Sequence, residues 1–357
     1  FTMDMPFCAW TLDGLQHPVF QTRKAFPRKT GPSHPRTTEK SGLSLPLKSF
    51  AILLMLGGSL VATSGTASAA PRPSSLADID VTSAGKGVYV VGALTSSGVI
   101  SAEVVVCPTR TTNCQKHGWK SLGGGFKSVA MQPQSGDGVV AIARRSNGDT
   151  WYRRGTCAGT SCSWASWYSL GGKVTKVATS NRNSCAYLVG TSPSSYVYEA
   201  KICRDSVTGW SSTGGKLSQI GSYSNKIFGT SSSGALWWNH GYGWTSAGGR
   251  ITQPAVNIGK TTHYCGLAGA GRNLWCANTS NFEWTNYGGY WRKLDDGKTI
   301  GISKYWRAWS HDGRAATSYG GNVNQLATSG DLMVGVGAGY GPWYQNTYRQ
   351  ANGWLAL

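Results

Sequence analysis

Aromatic side chains recur in short runs between residues 151 and 344, and they are the residues best suited to hold a ligand. Trp and Tyr rings offer flat apolar faces, and the abundant Ser, Thr and Asn residues around them offer hydroxyl and amide groups. A saccharide needs both kinds of contact, because its rings have C–H faces and its edges have hydroxyl groups. The candidate ligand-binding residues are Trp151, Tyr152, Tyr198, Trp237, Trp238, Trp275, Trp306, Trp309, Trp343 and Tyr344.

Carboxylates that could form a catalytic pair are scarce. After residue 69 the chain has three glutamates, Glu103, Glu199 and Glu283, whereas hydrolysis of a glycosidic bond usually needs two placed carboxylates. The segments "SNGDTW" (146–151) and "SHDGRA" (310–315) are weakly similar to the S-x-D-x-G-x-T-W boxes of sialidases, and we interpret them as hairpin turns. No zinc motif, P-loop or G-x-S-x-G elbow is found. We therefore expect no catalytic residue, cofactor or metal, with a sialidase-like glycosidase as the enzyme alternative.

A Trp followed by a Gly pair at fixed spacing organises the same part of the chain. "GWKSLGGGF", "SWYSLGGKV", "GWSSTGGKL", "GWTSAGGRI" and "EWTNYGGYW" are five copies, and "ATSYGGNV" is a sixth with Ala316 in place of the Trp. The copies recur about every 39 residues, a period typical of propeller blades. We interpret the repeated Trp residues mainly as packing residues between blades; they are Trp119, Trp167, Trp210, Trp244, Trp284 and Trp354.

Each interval contains four short strand patterns joined by Gly, Ser and Asn turns, with no room for a crossover helix. The strands are therefore expected to pair antiparallel. Counting from residue 78, seven such units fit the chain, which predicts an all-β, seven-bladed β-propeller over residues 78–357. Six blades is the alternative count, because the unit between residues 284 and 321 is weak.

The segments "WYSLGGKV" and "GVVAIARRSNGDTWYRRG" resemble the repeats of the seven-bladed PLL-type bacterial lectins, which are similar to tectonin and tachylectin-like propellers. The resemblance extends over residues 78–354, and Ala316 departs from it. It implies a protein that binds sugars at several sites around the ring, with fucose and O-methylated sugars as typical ligands. The family's individual ligand residues cannot be transferred to this sequence one by one.

Residues 1–69 are interpreted as a leader. Lys48, the apolar run 50–56 and the small residues Ala67 and Ala69 have the order of a secretory signal cleaved near Ala69. A retained membrane anchor is the alternative, and one interpretation of the segment before Lys40 is that it lies upstream of the true start codon. Residues 70–77 would form a short linker. We therefore expect a secreted protein with no membrane span after cleavage.

Cysteine spacing predicts local disulfides. Of nine cysteines, Cys8 lies in the leader, and the other eight fall in sequence as neighbouring pairs. Each pair occupies one hairpin-sized stretch, and an exported protein can keep such bonds. Metal binding is the alternative, but no C-x-x-C motif occurs. The predicted pairs are Cys107–Cys114, Cys157–Cys162, Cys185–Cys203 and Cys265–Cys276.

The chain has a formal net charge of +19, and after residue 69 it has 27 basic and 12 acidic residues. This balance favours anionic partners such as acidic glycans, wall polymers or nucleic acid, although no run of five basic residues occurs. The sequence therefore predicts a secreted multivalent lectin that binds glycans or glycoconjugates. A basic adhesin for anionic wall polymers or nucleic acid is the non-enzymatic alternative, and the oligomeric state stays open.

Overall fold

The computed structural model describes residues 73, 75–108, 113–224, 226–258, 262–294, 300–311, 316–330, 332–337, 341–346 and 354–357. The predicted leader and half of the predicted linker lie outside the described residues, and both stay predictions. Within the described part, the structure is all-β, and no helix there is long and apolar enough to cross a membrane.

The strands form seven antiparallel sheets, called blades 1 to 7 in chain order. Blade 1 contains β1 (Leu76–Gly85), β2 (Val88–Thr95), β3 (Ile100–Val106) and β4 (Gln115–Gly123). Blade 2 contains β5 (Ser128–Pro133), β6 (Gly138–Arg144), β7 (Thr150–Ala158), β8 (Ser161–Trp164) and β9 (Tyr168–Gly171). Blade 3 contains β10 (Lys176–Arg182), β11 (Cys185–Thr191), β12 (Tyr196–Ile202) and β13 (Val207–Lys216). Blade 4 contains β14 (Gln219–Tyr223), β15 (Lys226–Thr230), β16 (Leu236–Asn239) and β17 (Trp244–Gly248). Blade 5 contains β18 (Thr252–Ile258), β19 (Thr262–Ala268), β20 (Asn273–Asn278) and β21 (Trp284–Gly288). Blade 6 contains β22 (Trp291–Leu294), β23 (Ile300–Ser303), β24 (Ala308–His311) and β25 (Ala316–Gly320). Blade 7 contains β26 (Val323–Ser329), β27 (Leu332–Gly337), β28 (Pro342–Asn346) and β29 (Leu355–Ala356).

This arrangement confirms the predicted seven-bladed propeller of four-stranded antiparallel blades, and the alternative of six blades is wrong. Every blade is a meander in which neighbouring strands are consecutive in the chain. In blade 2 the fourth strand is divided into β8 and β9, and both parts pair with β7. Residues 284–321, whose repeat is weak in sequence, include all four strands of blade 6.

Hydrophobic packing occurs in seven clusters, one in each gap between neighbouring blades. The second strand of a blade is buried on both faces, so its residues serve two gaps in alternation. In β6, Val139 and Ala141 pack toward blade 1, whereas Val140 and Ile142 pack toward blade 3. This explains why the second strands read as continuous apolar runs.

The ring closes by side-chain packing between blade 7 and blade 1, and among the described residues these two blades share no strand. The Tyr344 hydroxyl donates to the carbonyl of Cys114 at 3.3 Å, and Lys116 Nζ donates to the carbonyl of Ala356 at 2.9 Å. Leu76 of the first strand of blade 1 and Leu357, which follows the last strand of blade 7, are buried in the same cluster. The gap between blades 7 and 1 is therefore packed like the others.

The structure places all four predicted cysteine pairs at disulfide distance, with sulfur–sulfur separations of 2.03, 1.99, 2.12 and 2.08 Å. Each pair lies within one blade and joins adjacent strands or the ends of one turn. Cys265 and Cys276 are directly opposite on β19 and β20, and both are fully buried. These bonds therefore brace single blades.

Candidate ligand-binding grooves between blades

Most of the repeated Trp residues donate a hydrogen bond across the gap to the preceding blade. Trp244 Nε1 lies 3.1 Å from the carbonyl oxygen of Thr213, and Trp284 Nε1 lies 3.0 Å from that of Ala247. The acceptor is always the carbonyl of the first glycine of the preceding Gly pair or of the residue before it. The other donor–acceptor pairs of this kind are Trp167–Leu122, Trp210–Gly171 and Trp354–Tyr319.

In blades 2 to 6 the second glycine of the pair is required because the next blade's indole lies directly on it. A Cβ atom on Gly215 would come within 2.5 Å of Trp244, and one on Gly249 would come within 2.8 Å of Trp284. Both glycines also have positive φ, at 65° and 77°, a region that residues with a Cβ rarely adopt. The Ser or Asn two residues after the Trp accepts the N–H of the first glycine, as Asn286 Oδ1 does from Gly288 at 2.8 Å.

Blade 6 has Ala316 at the repeat Trp position, and a different residue fills the gap before it. Trp291 Nε1 donates to the Gly288 carbonyl at 3.2 Å, and a Cβ atom on Gly289 would lie 2.5 Å from the same nitrogen. The Trp291 side chain is buried against the cluster between blades 5 and 6. At the equivalent position the other repeats have smaller apolar residues or Phe. The extra Trp in "GGYW" is therefore the sequence feature that could have indicated this replacement.

Three candidate aromatic residues are buried between blades. Tyr152, Trp238 and Tyr344 have exposed fractions of 8%, 4% and 4%, and each belongs to a hydrophobic cluster with the following blade. The Trp238 ring stacks on Tyr264 at 5.3 Å and on Phe282 at 5.4 Å, measured between ring centroids. In this structure these rings are packed against protein and do not line an open surface.

Six other candidates share one position, on the third strand of blades 2 to 7, and all six are half-buried. Each lies opposite a small residue of the second strand, Ala in blade 2 and Gly in the others. Trp151, Trp237 and Trp309 pack against the cluster shared with the preceding blade. The residues at this position are Trp151, Tyr198, Trp237, Trp275, Trp309 and Trp343.

An exposed polar side chain faces most of these rings across the sheet. Directly paired residues of neighbouring antiparallel strands project from the same face. Trp237 pairs with Ser246, and Trp275 pairs with Asn286. Equivalent pairs are Trp151–Ser169, Tyr198–Ser212 and Trp309–Ser318, and all five polar residues are exposed.

We define an inter-blade groove by three residues of one blade: the repeat Trp, the third-strand aromatic residue and the polar residue paired with it. Blade 1 has Ser101 in place of the aromatic residue, blade 6 has Ala316 in place of the Trp, and blade 7 has Ala356 in place of the polar residue. Blades 2 to 5 have complete grooves: Trp167/Trp151/Ser169, Trp210/Tyr198/Ser212, Trp244/Trp237/Ser246 and Trp284/Trp275/Asn286.

The groove of blade 2 also contains two arginines. The Arg145 guanidinium carbon lies 4.2 Å from the Trp151 ring centroid, and Arg153 Nη1 donates to the Leu122 carbonyl at 2.7 Å. Burial lowers the pKa of Arg153 from its ordinary value. Arg145 Nε and Trp151 Nε1 are both buried and make no hydrogen bond in the structure. This groove therefore has unused hydrogen-bond donors beside an aromatic ring.

Trp306, the remaining candidate, lies outside the grooves, in the turn between the second and third strands of blade 6. Its φ is 64°, and the Arg292 guanidinium carbon is 3.6 Å from its ring centroid. Its half-buried ring packs against the cluster between blades 6 and 7.

The three glutamates after residue 69 each accept a local hydrogen bond. Glu103 Oε1 accepts from the Gly118 N–H at 3.2 Å, and Glu283 Oε2 accepts from Asn281 Nδ2 at 2.6 Å. Glu199 accepts from the Tyr187 hydroxyl. Burial, followed by this hydrogen bond, raises the pKa of Tyr187. Among the residues described, no group of three His, Cys, Asp or Glu side chains is arranged to hold a metal ion.

The inner strands enclose a polar cavity of about 240 Å³ on the ring axis. Two aspartates of β1 line it and accept backbone hydrogen bonds from β5: Asp78 from Val129 at 3.2 Å and Asp80 from Met131 at 2.7 Å. Burial raises the pKa of Asp78, and the hydrogen bond from Val129, the charge of Lys293 and the hydrogen bond from Ile79 oppose the shift. The aspartates thus join the inner strands of blades 1 and 2.

No protein-family model matches the chain, and no curated protein matches its sequence significantly. Solved structures with a similar fold include an uncharacterized protein, lmo1340, from Listeria monocytogenes, with 11% identity and a TM-score of 0.49 over 80% of this chain and 95% of that one. A mutant of Aleuria aurantia lectin AAL in complex with Fucalpha1-6GlcNAc has 12% identity and a TM-score of 0.47 over 80% and 96%. AofleA from Arthrobotrys oligospora has 9% identity and a TM-score of 0.44 over 76% and 83%. At these identities and TM-scores, the likeness carries no argument about a ligand or an activity.

Proposed function

We propose that the propeller is a multivalent carbohydrate-binding protein. The observation that carries the proposal is the fourfold recurrence of a complete inter-blade groove in blades 2 to 5. Each groove pairs a half-buried aromatic ring with an exposed hydroxyl or amide on the same face of the sheet. The ring provides a flat apolar surface for the C–H face of a sugar, and the polar group can bond its hydroxyls.

Multivalency follows from the repetition. A single site that consists of one aromatic ring and one polar group is expected to be weak. Several sites on one rigid ring raise the overall affinity for a glycan-coated surface, because the second contact is intramolecular. Fucose and O-methylated sugars are the proposed ligands, since their methyl groups add apolar surface suited to a floor of Trp and Gly.

We propose secretion as the setting, supported by four cysteine pairs at disulfide distance within single blades. We also propose binding without catalysis. The three glutamates after residue 69 support this part, because each is held in a local hydrogen bond within its own blade.

A glycan array followed by titration calorimetry tests the proposal. The expected stoichiometry is about four saccharides per chain for a monovalent ligand. Trp237→Leu keeps an apolar side chain in the blade 4 groove but removes the flat ring, so the stoichiometry should fall by one. Tyr242→Ala is the matched control, because Tyr242 is fully exposed in the same blade outside the groove. A folded protein that binds no saccharide would overturn the proposal.

A further inference from the structure

The meander topology sorts the connecting segments onto two faces of the ring. Turns between the second and third strands lie at the same end of the blades as the links from one blade to the next. We call this end the link face. Turns between the first and second strands, and between the third and fourth, lie at the other end, the opposite face.

The link face is strongly basic. Among the described residues, its connecting segments hold seven basic residues and one acidic residue, Asp149. All seven are exposed except Arg145, which is half-buried, and Lys216 and Arg292 add two exposed cations at adjacent strand ends. The seven are Lys127, Arg145, Lys173, Arg250, Arg272, Lys304 and Arg307.

The opposite face has a smaller excess, which comes from three exposed cations at its strand ends, Lys116, Arg182 and Lys201. Its described connecting segments contain two basic residues, Lys86 and Arg204, and three acidic residues, Asp137, Asp205 and Glu283. The high net charge is therefore distributed unevenly over the part of the ring that the structure describes. An uneven field of this kind attracts a polyanion to one side of the molecule.

The basic residues of the link face also occupy one sector. They lie in the links that lead into blades 2, 3 and 5, at the end of the last strand of blade 3, and in the turns and strand ends of blades 2, 5 and 6. The described connecting segments of blades 1 and 7 on this face contain no basic residue apart from Lys127, which leads into blade 2. This sector includes all four complete grooves, whose third-strand aromatic residues lie within three residues of the link-face turns.

Cations and aromatic rings are paired on this face. Lys216 Nζ lies 4.4 Å from the ring centroid of Tyr196. Lys304 Nζ lies 4.2 Å from Tyr290 and 4.9 Å from Tyr305, whose rings are 59% and 70% exposed. These contacts hold a positive charge beside an open aromatic surface. A sugar that has a carboxylate or sulfate group fits this combination, because its ring and its charge can be bound together.

We propose that the link face binds an anionic polysaccharide, whose chain crosses the basic sector and places sugar residues in the grooves of blades 2 to 5. This inference rests on the proposed carbohydrate binding and specifies the class of ligand. The adjoining grooves, with their exposed hydroxyl and amide groups, favour a polysaccharide over nucleic acid or an anionic membrane. The cations provide charge attraction, and the grooves provide contacts with the sugar rings.

The test compares two triple variants with the same change in charge. Lys173→Glu/Lys216→Glu/Arg250→Glu reverses three cations on the link face, and Lys86→Glu/Arg182→Glu/Arg204→Glu reverses three exposed cations near the opposite face. Binding of polygalacturonate, dextran sulfate and neutral dextran is measured by interferometry at two salt concentrations. The link-face variant should bind the acidic polymers about tenfold or more weakly, and the control variant should change far less. Should the Glu variant unfold at a lower temperature, the corresponding Gln variant is used.

Equal losses in both variants would overturn the inference, because net charge alone would then explain binding. Full retention of acidic polymers by the link-face variant would also overturn it. Tighter binding of a single-stranded oligonucleotide than of any acidic polysaccharide would assign the face to nucleic acid instead. If neutral saccharides bind while acidic polymers do not, only the inference fails. If acidic polymers bind but no groove variant alters saccharide binding, the proposed function of the grooves fails and the basic face stands.

Discussion

At the scale of single residues, the six gaps from blades 1–2 to blades 6–7 each contain a flat indole that rests on glycine backbone of the preceding blade. The Trp of one blade provides the flat surface, and the Gly pair at the end of the preceding blade leaves the space that the indole occupies. Where the Trp is missing from the outer strand, in blade 6, Trp291 of the inner strand makes the equivalent hydrogen bond. The contact is thus retained although the residue that makes it changes.

Gly215→Ala tests this contact directly. The new Cβ would clash with Trp244 at 2.5 Å and would sit on a backbone with φ of 65°. We expect a loss of about 2–4 kcal/mol in the free energy of unfolding, measured by chemical denaturation. Gly209→Ala is the control, because no atom lies within 4 Å of its Cβ and its φ is not positive. Similar losses in both variants would contradict the role of the Gly pair.

A second prediction concerns His240, whose Nε2 lies 2.8 Å from the Tyr264 hydroxyl. Burial, and then the charge of Lys226, lowers the pKa of His240 below its ordinary value of 6.5. The folded protein therefore takes up the proton less readily than the unfolded chain, so stability is complete above pH 6.5 and falls as the pH drops through the lowered pKa. Denaturation at pH 8 and pH 5 should show a smaller loss for His240→Gln than for the wild type. The exposed His117→Gln variant should keep the wild-type dependence.

At the scale of elements, the blade was predictable because its signals are local. Strand alternation, turn residues and the recurring Trp and Gly pair all lie within about 40 residues, so their order fixes a four-stranded meander. The cysteine pairing was equally accessible, because each pair closes one short stretch. No local pattern marked the division of the fourth strand of blade 2, where Ala165 bonds within the blade and Trp167 bonds to Leu122 of blade 1.

Removal of one disulfide is expected to weaken a blade without unfolding the ring. For Cys185→Ala/Cys203→Ala, with a sequence separation of 18, the free energy of unfolding should fall by about 3 kcal/mol. For Cys157→Ala/Cys162→Ala, with a separation of 5, chain entropy predicts a loss of about 2 kcal/mol. Circular dichroism and denaturation under oxidising conditions measure both. Complete loss of folded structure in either variant would show that the bond supports more than its own blade.

At the scale of the whole molecule, the ring is held by packing between its two terminal blades. Leu357, with an exposed fraction of 4%, shares a cluster with Leu76, Trp119 and Tyr344, whereas Leu355 is 37% exposed. Leu357→Ala should lower the free energy of unfolding by about 2–4 kcal/mol, and Leu355→Ala by less than about 1 kcal/mol. Thermal unfolding compares the two variants. Equal stability would mean that closure does not depend on this contact.

The sequence by itself determined the repeat, the all-β class and the local cysteine pairs, because each rests on residues close together in the chain, and it favoured seven blades over six. It also identified the aromatic positions from which a ligand site could be built. It could not separate the buried rings of Tyr152, Trp238 and Tyr344 from the half-buried rings one residue earlier, because strand alternation alone does not say which gap each face of the strand fills. Only the packing of one blade on the next decided this.

The tertiary structure also decided where the charge lies. Basic residues that are scattered along the chain become neighbours because every link between blades returns to the same end of the ring. No local pattern contains that information, since it arises from the direction in which seven separate sheets are arranged around one axis. The sequence determined how much positive charge the protein has, and the ring brought the basic residues of the described links and turns together on one face.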